Sequence, residues 1–211
     1  MNSKSLLLVA LVAAVSSFAQ ADNLQYTGSE LASIGTATIQ VNSGSVQNVG
    51  VGRLKFSDGV STILTYCFDA ESPLNGGVHS YTPSIVNTNA STGLGYAGRI
   101  IGNYFNVATT KDQQAGLQLA IWSAVYDANT SFTENGANFK VTNVSATVIG
   151  WANTYYQGRD LPLSMITQVK AFSTTATGGQ SQLTVETVPE PASMLAISAG
   201  LALLAKRRKQ K

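Results

Sequence analysis

A short apolar run lies close to each end of this chain, and the two leave about 167 residues between them to fold. At the N-terminus Lys4 precedes "LLLVALVAAV" (6–15), and Ala19-Gln20-Ala21 follows it. A cation, a brief apolar core and a small-x-small site are the parts of a secretory signal, so residues 1–21 read as a removable signal peptide and the mature chain starts at Asp22. The run is shorter than the roughly 20 apolar residues that a membrane span requires. At the other end Pro189 and Pro191 flank Glu190, and neither proline can donate a backbone hydrogen bond, so they stop any strand before them. Then come "SMLAISAGLALLA" (193–205) and "KRRKQK" (206–211). An apolar stretch closed by a basic cluster is a stop-transfer pattern that holds its cations on the cytoplasmic side. This stretch is also short for a permanent span, which fits a tail that is processed after a transient stay in the inner membrane.

Residues 188–211 resemble the PEP-CTERM sorting signal, with the Pro189-Glu190-Pro191 box, the short apolar helix and the arginine-containing basic end in that order. The resemblance implies handling by an exosortase-type membrane enzyme acting around Pro189, Glu190 and Pro191. With the N-terminal signal it implies export by the Sec machinery in a Gram-negative bacterium, and a final place on the cell surface or in a biofilm matrix.

Residues 22–187 are expected to form one domain. The formal charge of +2 misdescribes it, because six of the thirteen basic residues belong to the end segments. Residues 22–188 keep seven basic and ten acidic side chains, close to −3, with no basic stripe, so nucleic acid is excluded as a partner. One cysteine and one histidine make no metal site, and no cofactor is expected.

The first third of the domain reads as strands at 36–41, 47–57 and 60–68, with a hairpin turn at Ser57-Asp58-Gly59. The stretch 79–86 is extended too, and Pro83 assigns it to an edge or loop. The middle is helical. Leu94, Ala97, Ile101, Tyr104 and Phe105 recur at helical spacing. Thr110 and Gln113 form a capping box ahead of Leu117, Ala120, Ile121, Ala124 and Val125, one apolar helix face. A third helix is expected over 145–158, and strands return at 164–174 and 180–188. The fold class is α+β: a β-sheet or small β-sandwich with an inserted helical segment carrying the Gln-x-Ala-Ile-Trp motif.

Two residues in this layout are out of place. Cys67 is a lone thiol in an exported chain, where unpaired thiols meet oxidants. Gln118 lies between Leu117 and Leu119, beside the apolar face, with Trp122 one turn ahead. A half-buried amide there must find a hydrogen-bond partner or cost roughly 1–3 kcal/mol. On one reading Gln118 bonds to nearby backbone and Cys67 is a small buried hydrophobe. On the other the two are fused: the Cys67 sulfur displaces ammonia from the Gln118 carboxamide and leaves an internal thioester. An amide resists a thiol unless the fold fixes the pair, but well-oriented intramolecular pairs reach effective molarities of about 10⁵–10⁸ M. Tyr66, Phe68 and Trp122 would supply dry walls.

Tyr66-Cys67-Phe68-Asp69 and, 51 positions on from Cys67, Leu117-Gln118-Leu119-Ala120-Ile121-Trp122 resemble the two motifs of thioester domains from bacterial surface adhesins. The resemblance covers about 60–186. It implies that Cys67 and Gln118 form the cross-link, that Trp122 packs beside it, and that the protein adheres covalently when a lysine amine or hydroxyl on a target attacks the Gln118 carbonyl. That is one bond per molecule, not turnover, so the chain is not read as an enzyme. The alternatives are a passive matrix or envelope protein with a free thiol, and a cysteine hydrolase using His79, the single histidine. Asp69 and Glu71 read as a solvated edge, not an acid/base pair.

Overall fold

The computed structural model describes residues 21–164 and 167–187; the readings made on 1–20 and 188–211 lie outside them. The chain order is β1 (Asp22–Ser29), β2 (Gly35–Val41), β3 (Gln47–Val51), β4 (Leu54–Ser57), β5 (Thr62–Cys67), β6 (Val78–Ile85), α1 (Gly93–Tyr104), α2 (Lys111–Tyr126), β7 (Phe139–Thr142), α3 (Ala146–Tyr156), β8 (Thr167–Ser173) and β9 (Gln182–Thr187). A 3-10 turn, Gln157–Asp160, extends α3. The protein is mostly β with a few helices.

The expected β-sheet is present, but it is closed on itself and not paired into a sandwich. Six close into an antiparallel barrel, in the order β1-β4-β5-β9-β8-β6, and three form a separate sheet, β3-β2-β7. Closure depends on β6, which pairs with β1 over Val78–Tyr81 and with β8 over Thr82–Ile85. The proline in this strand therefore does not make it an edge. Val86 donates its N–H to Val169 O, so the ladder's alternation leaves Pro83, opposite Phe172, at a non-bonded position with its nitrogen turned from β8. On the other side, the pairs with β1 run from Val78 to Tyr81.

The run 47–57 is likewise two strands in two sheets. It breaks at Gly52, whose φ of +155° other residues rarely adopt, and at Arg53, a buried cation. β3 stays in the outer sheet and β4 enters the barrel. The Ser57-Asp58-Gly59 hairpin is present: Ser57 pairs with Thr62, and the Asp58 carboxylate accepts the N–H groups of Val60 and Ser61. β1 and β7 had no sequence counterpart. β7 is four residues long, too short for its alternation to stand out.

α2 starts at its predicted cap, Thr110, with Gln113 completing the capping box, and the structure shows Thr92 and Ser145 capping α1 and α3. α2 is not one-sided, however. Every residue from Gln114 to Ala124 is buried, because α1, α3 and the three-stranded sheet all pack on this helix. Gly116 permits the α3 contact, since a Cβ there would lie 2.5 Å from the Trp151 Cβ. The main core surrounds α2, and a smaller cluster of Leu24, Leu54, Phe56, Tyr81 and Phe172 fills part of the barrel.

Candidate functional site

β5 delivers Cys67 at its last position, where Cys67 pairs with Gln182 and Tyr66 with Leu183 of β9. The chain leaving the strand is held firmly. Phe68 N–H donates to Ser181 O, Ala70 N–H to the Tyr126 hydroxyl, and the Asp69 carboxylate accepts from the N–H groups of Glu71 and Ser72. Asp69 thus closes a turn, while exposed Glu71 accepts from Asn42.

The centre of α2 meets this strand end. Gln118 is 1 % exposed, more deeply buried than its half-buried expectation. Its carboxamide is gripped at both atoms by the backbone of one residue. Cys67 N–H donates to Gln118 Oε1 at 3.2 Å, and Gln118 Nε2 donates to Cys67 O at 2.6 Å. The Cys67 thiol donates to Asp69 O at 2.9 Å. Burial raises the thiol pKa well above its ordinary 9.0, the Asp69 charge adds to this, and Trp122 opposes it. The Trp122 Nε1–H is close enough to the sulfur to favour its charged form, yet makes no hydrogen bond of regular geometry and is otherwise without a partner.

Cys67, Gln118 and Trp122 share the wall of a cleft of about 320 Å³ with residues 47–50 of β3 and with Pro73 and Leu74. Of the three aromatic side chains expected around the pair, only Trp122 lines it. Tyr66 is buried one strand position away and packs edge-on against Phe105, and Phe68 is half-buried. The cleft contains no histidine, and His79 lies in β6 opposite Leu24. Among the described residues no cluster of three or more His, Cys, Asp and Glu side chains stands together as metal ligands.

Sequence reasoning missed the network one turn behind Gln118. Arg53 is buried and bonds the Glu30 carboxylate at 2.6 Å and Phe105 O at 2.6 Å. Gln114 accepts the Arg53 N–H and donates to the same carboxylate. The one available signal was an arginine inside a run that otherwise read as a continuous strand.

A family model described as the PEP-CTERM protein-sorting motif matches residues 187–209, so the chain carries that motif, the mark of an exported protein held through its C-terminal tail. No helix among the described residues is long and apolar enough to cross a membrane. No curated protein matches the chain. Its structural neighbours include the N-terminal thioester domain of a surface protein from Clostridium perfringens, at 12 % identity, covering 72 % of this chain and 98 % of that one with a TM-score of 0.44. A cysteine-to-alanine mutant of such a domain from the same organism matches at 12 % identity over 64 % and 89 %, TM-score 0.46. The N-terminal domain of the Streptococcus pyogenes pilus tip adhesin Cpa matches at 14 % identity over 78 % and 99 %, TM-score 0.46.

Proposed function

We propose that this exported protein forms an internal Cys67–Gln118 thioester and uses it to attach covalently to a nucleophile on a surface or matrix target. The observation that carries the reading is the double hydrogen bond between the Gln118 carboxamide and the Cys67 backbone, which brings the amide to the residue bearing the only thiol in the chain.

The chemistry follows from that placement. The sulfur attacks the Gln118 carboxamide carbon and a C–S bond forms. The carbonyl oxygen gains negative charge while the Cys67 N–H donates to it, a donor already in place before reaction. The C–N bond breaks and the nitrogen departs as ammonia, carrying the former thiol proton. Attachment is the matching acyl transfer: an amine adds to the same carbon, the C–S bond breaks, and one amine proton ends on sulfur. Burial works in two directions. It excludes water from the stored ester, and by holding the thiol neutral it slows the first step. A lysine amine is the expected nucleophile, a hydroxyl the slower alternative. Sec export, cutting by an exosortase-type enzyme near Pro189, Glu190 and Pro191, and residence on the surface or in the matrix of a Gram-negative cell complete the proposal.

The second reading is a passive matrix protein with a free thiol. It is favoured by the fact that Gln118, unreacted, already has partners for both amide atoms, so the pair is stable as it stands. Intact mass separates the two. The thioester form is lighter than the sequence by one ammonia, resists thiol alkylation until methylamine opens it, and returns to full mass in Cys67→Ala. A wild-type chain at full mass with an alkylatable thiol under denaturing conditions establishes the passive reading.

A further inference from the structure

We infer that the cleft beside Cys67 recognises its target as an extended polypeptide strand that pairs with the free edge of β3. This rests on the thioester reading for its chemistry but not for its docking.

The three-stranded sheet has two edges, treated differently. On the β7 side, Val141 N–H donates to Glu134 O and Asn135 bridges to Lys140, so residues 134–135 cover that edge. On the β3 side no described backbone pairs with the edge. The ladder says which groups are open. Asn42 N–H donates to Asn138 O, in register with the β2–β7 pairs, so Thr38 and Gln40 bond towards β7 while Ala37 and Ile39 bond towards β3. Their partners across β3 are Val49 and Gln47. Asn48 and Gly50 therefore turn both N–H and C=O outward, and both residues are exposed.

That edge forms a wall of the reactive cleft. Residues 47–50 line it consecutively, both faces of the strand together, which happens when the edge itself faces the space. The same cleft reaches Cys67 and Gln118. None of its lining residues is charged. An uncharged wall with unpaired main-chain donors and acceptors suits the neutral backbone of another strand. It also favours the neutral, nucleophilic form of a lysine amine over the ammonium, by desolvation.

The test uses the full-length chain and the peptide acetyl-Ser-Thr-Val-Lys-Val-Thr-Ser-amide. Adduct formation, read by intact mass, is expected to run roughly tenfold faster with the peptide than with an equal concentration of Nα-acetyl-lysine amide, because strand pairing holds the amine near the carbonyl. Asn48→Pro removes one outward N–H and leaves the backbone bonds to β2 in place, and it is expected to bring that ratio close to one; the Thr38 hydroxyl's bond to the Asn48 side chain is lost in this variant and in Asn48→Ala alike. The readout is the ratio of peptide to single amino acid within each variant, so a general effect on the cleft cancels, and Asn48→Ala, which keeps the N–H, should retain the preference. Equal rates for peptide and single amino acid in the wild type, or a preference that survives Asn48→Pro, overturn the inference. Absence of any ammonia loss defeats the thioester reading instead, and docking is then read in Cys67→Ala by amide hydrogen exchange. The Asn48 and Gly50 amides should exchange several-fold more slowly with peptide present. No protection overturns the docking, as does protection that instead follows protein concentration without peptide, the sign of a second copy, or that an oligosaccharide produces equally.

Discussion

Two regions one helical turn apart on α2 use the same side chain to different ends. Gln114 and Gln118 are both 1 % exposed, and each reaches across to main chain, Gln114 Oε1 to Arg53 N–H and Gln118 Oε1 to Cys67 N–H. They differ in what receives the amide nitrogen. Gln114 donates to the Glu30 carboxylate, which also carries the Arg53 ion pair. Gln118 donates to the main chain of the cysteine. The first amide is one member of a charged network that ties α2 to β1, β4 and the end of α1, with no nucleophile beside it. The second has no charge in contact and a sulfur on its partner residue. A buried glutamine is thus a brace or, on the proposed reading, a reactive group according to its neighbour, and the brace lies one turn from the proposed reactive centre.

The comparison breaks most visibly at Glu30. In Glu30→Gln the Arg53 guanidinium stays buried without its counter-ion, and stability should fall by about 3 kcal/mol, read by urea unfolding. If the loss is near zero, Arg53 is satisfied by Phe105 O alone and the network is no brace. Gln114→Ala should be milder, costing about 1–3 kcal/mol for a buried N–H left without its acceptor. The folded variant should still lose ammonia if the wild type does, because Gln118 keeps its own two bonds. A folded Gln114→Ala chain at full mass, beside a wild type lighter by ammonia, would show that bracing and reactivity are not separable.

The reactive region was more legible in the sequence than the brace. Helix α2 announced itself through Thr110, Gln113 and its apolar spacing, and Cys67 at the end of a β-branched run followed from the strand pattern. The meeting of Cys67 and Gln118 is tertiary, and local periodicity carries nothing about it; a resemblance pointed there instead. Arg53 was hidden because a strand interrupted by one glycine reads as a longer strand, and its partner Glu30 is 23 residues away. Barrel closure was illegible for a related reason. Pro83 argues for an edge from its missing donor, and only the ladder's phase shows that the donor was not needed. Burial of α2 on all sides was masked by Gln114 and Gln118, because local pattern does not show the main chain that satisfies their amides.

The neutral thiol gives a smaller, pH-dependent contrast. Burial holds the Cys67 pKa far above the 9.0 that the unfolded chain should show. Below pH 9 the thiol is protonated in both states and contributes nothing. Above it the unfolded chain releases a proton that the folded chain keeps, so stability falls as pH rises. Protein with its thiol free, either never closed or opened by methylamine, should therefore lose about 1.4 kcal/mol per pH unit above pH 9 relative to Cys67→Ala. Buried Tyr66, whose pKa is also raised by burial and owes nothing to Cys67, steepens both curves equally and cancels in the difference. Parallel curves would mean that the thiol ionises freely in the folded protein.

The smallest stability change is expected at Trp122, and it tests what the reactive region needs from its wall. The indole packs beside Phe139 and lines the cleft, while its N–H has no hydrogen-bond partner. Trp122→Phe keeps an aromatic ring and removes a donor that was buried and unsatisfied. The gain from losing that donor offsets part of the lost packing, so stability should change by less than about 1.5 kcal/mol. Reactivity should respond more. When an amine opens the proposed thioester the sulfur leaves with negative charge, and the Trp122 N–H is the donor already beside it. Methylamine opening, followed by mass, should therefore slow by roughly tenfold in Trp122→Phe, the scale of one hydrogen bond to a charged group. An unchanged rate with unchanged stability would reduce Trp122 to a spacer, leaving the Cys67 N–H as the only built-in donor of the reaction.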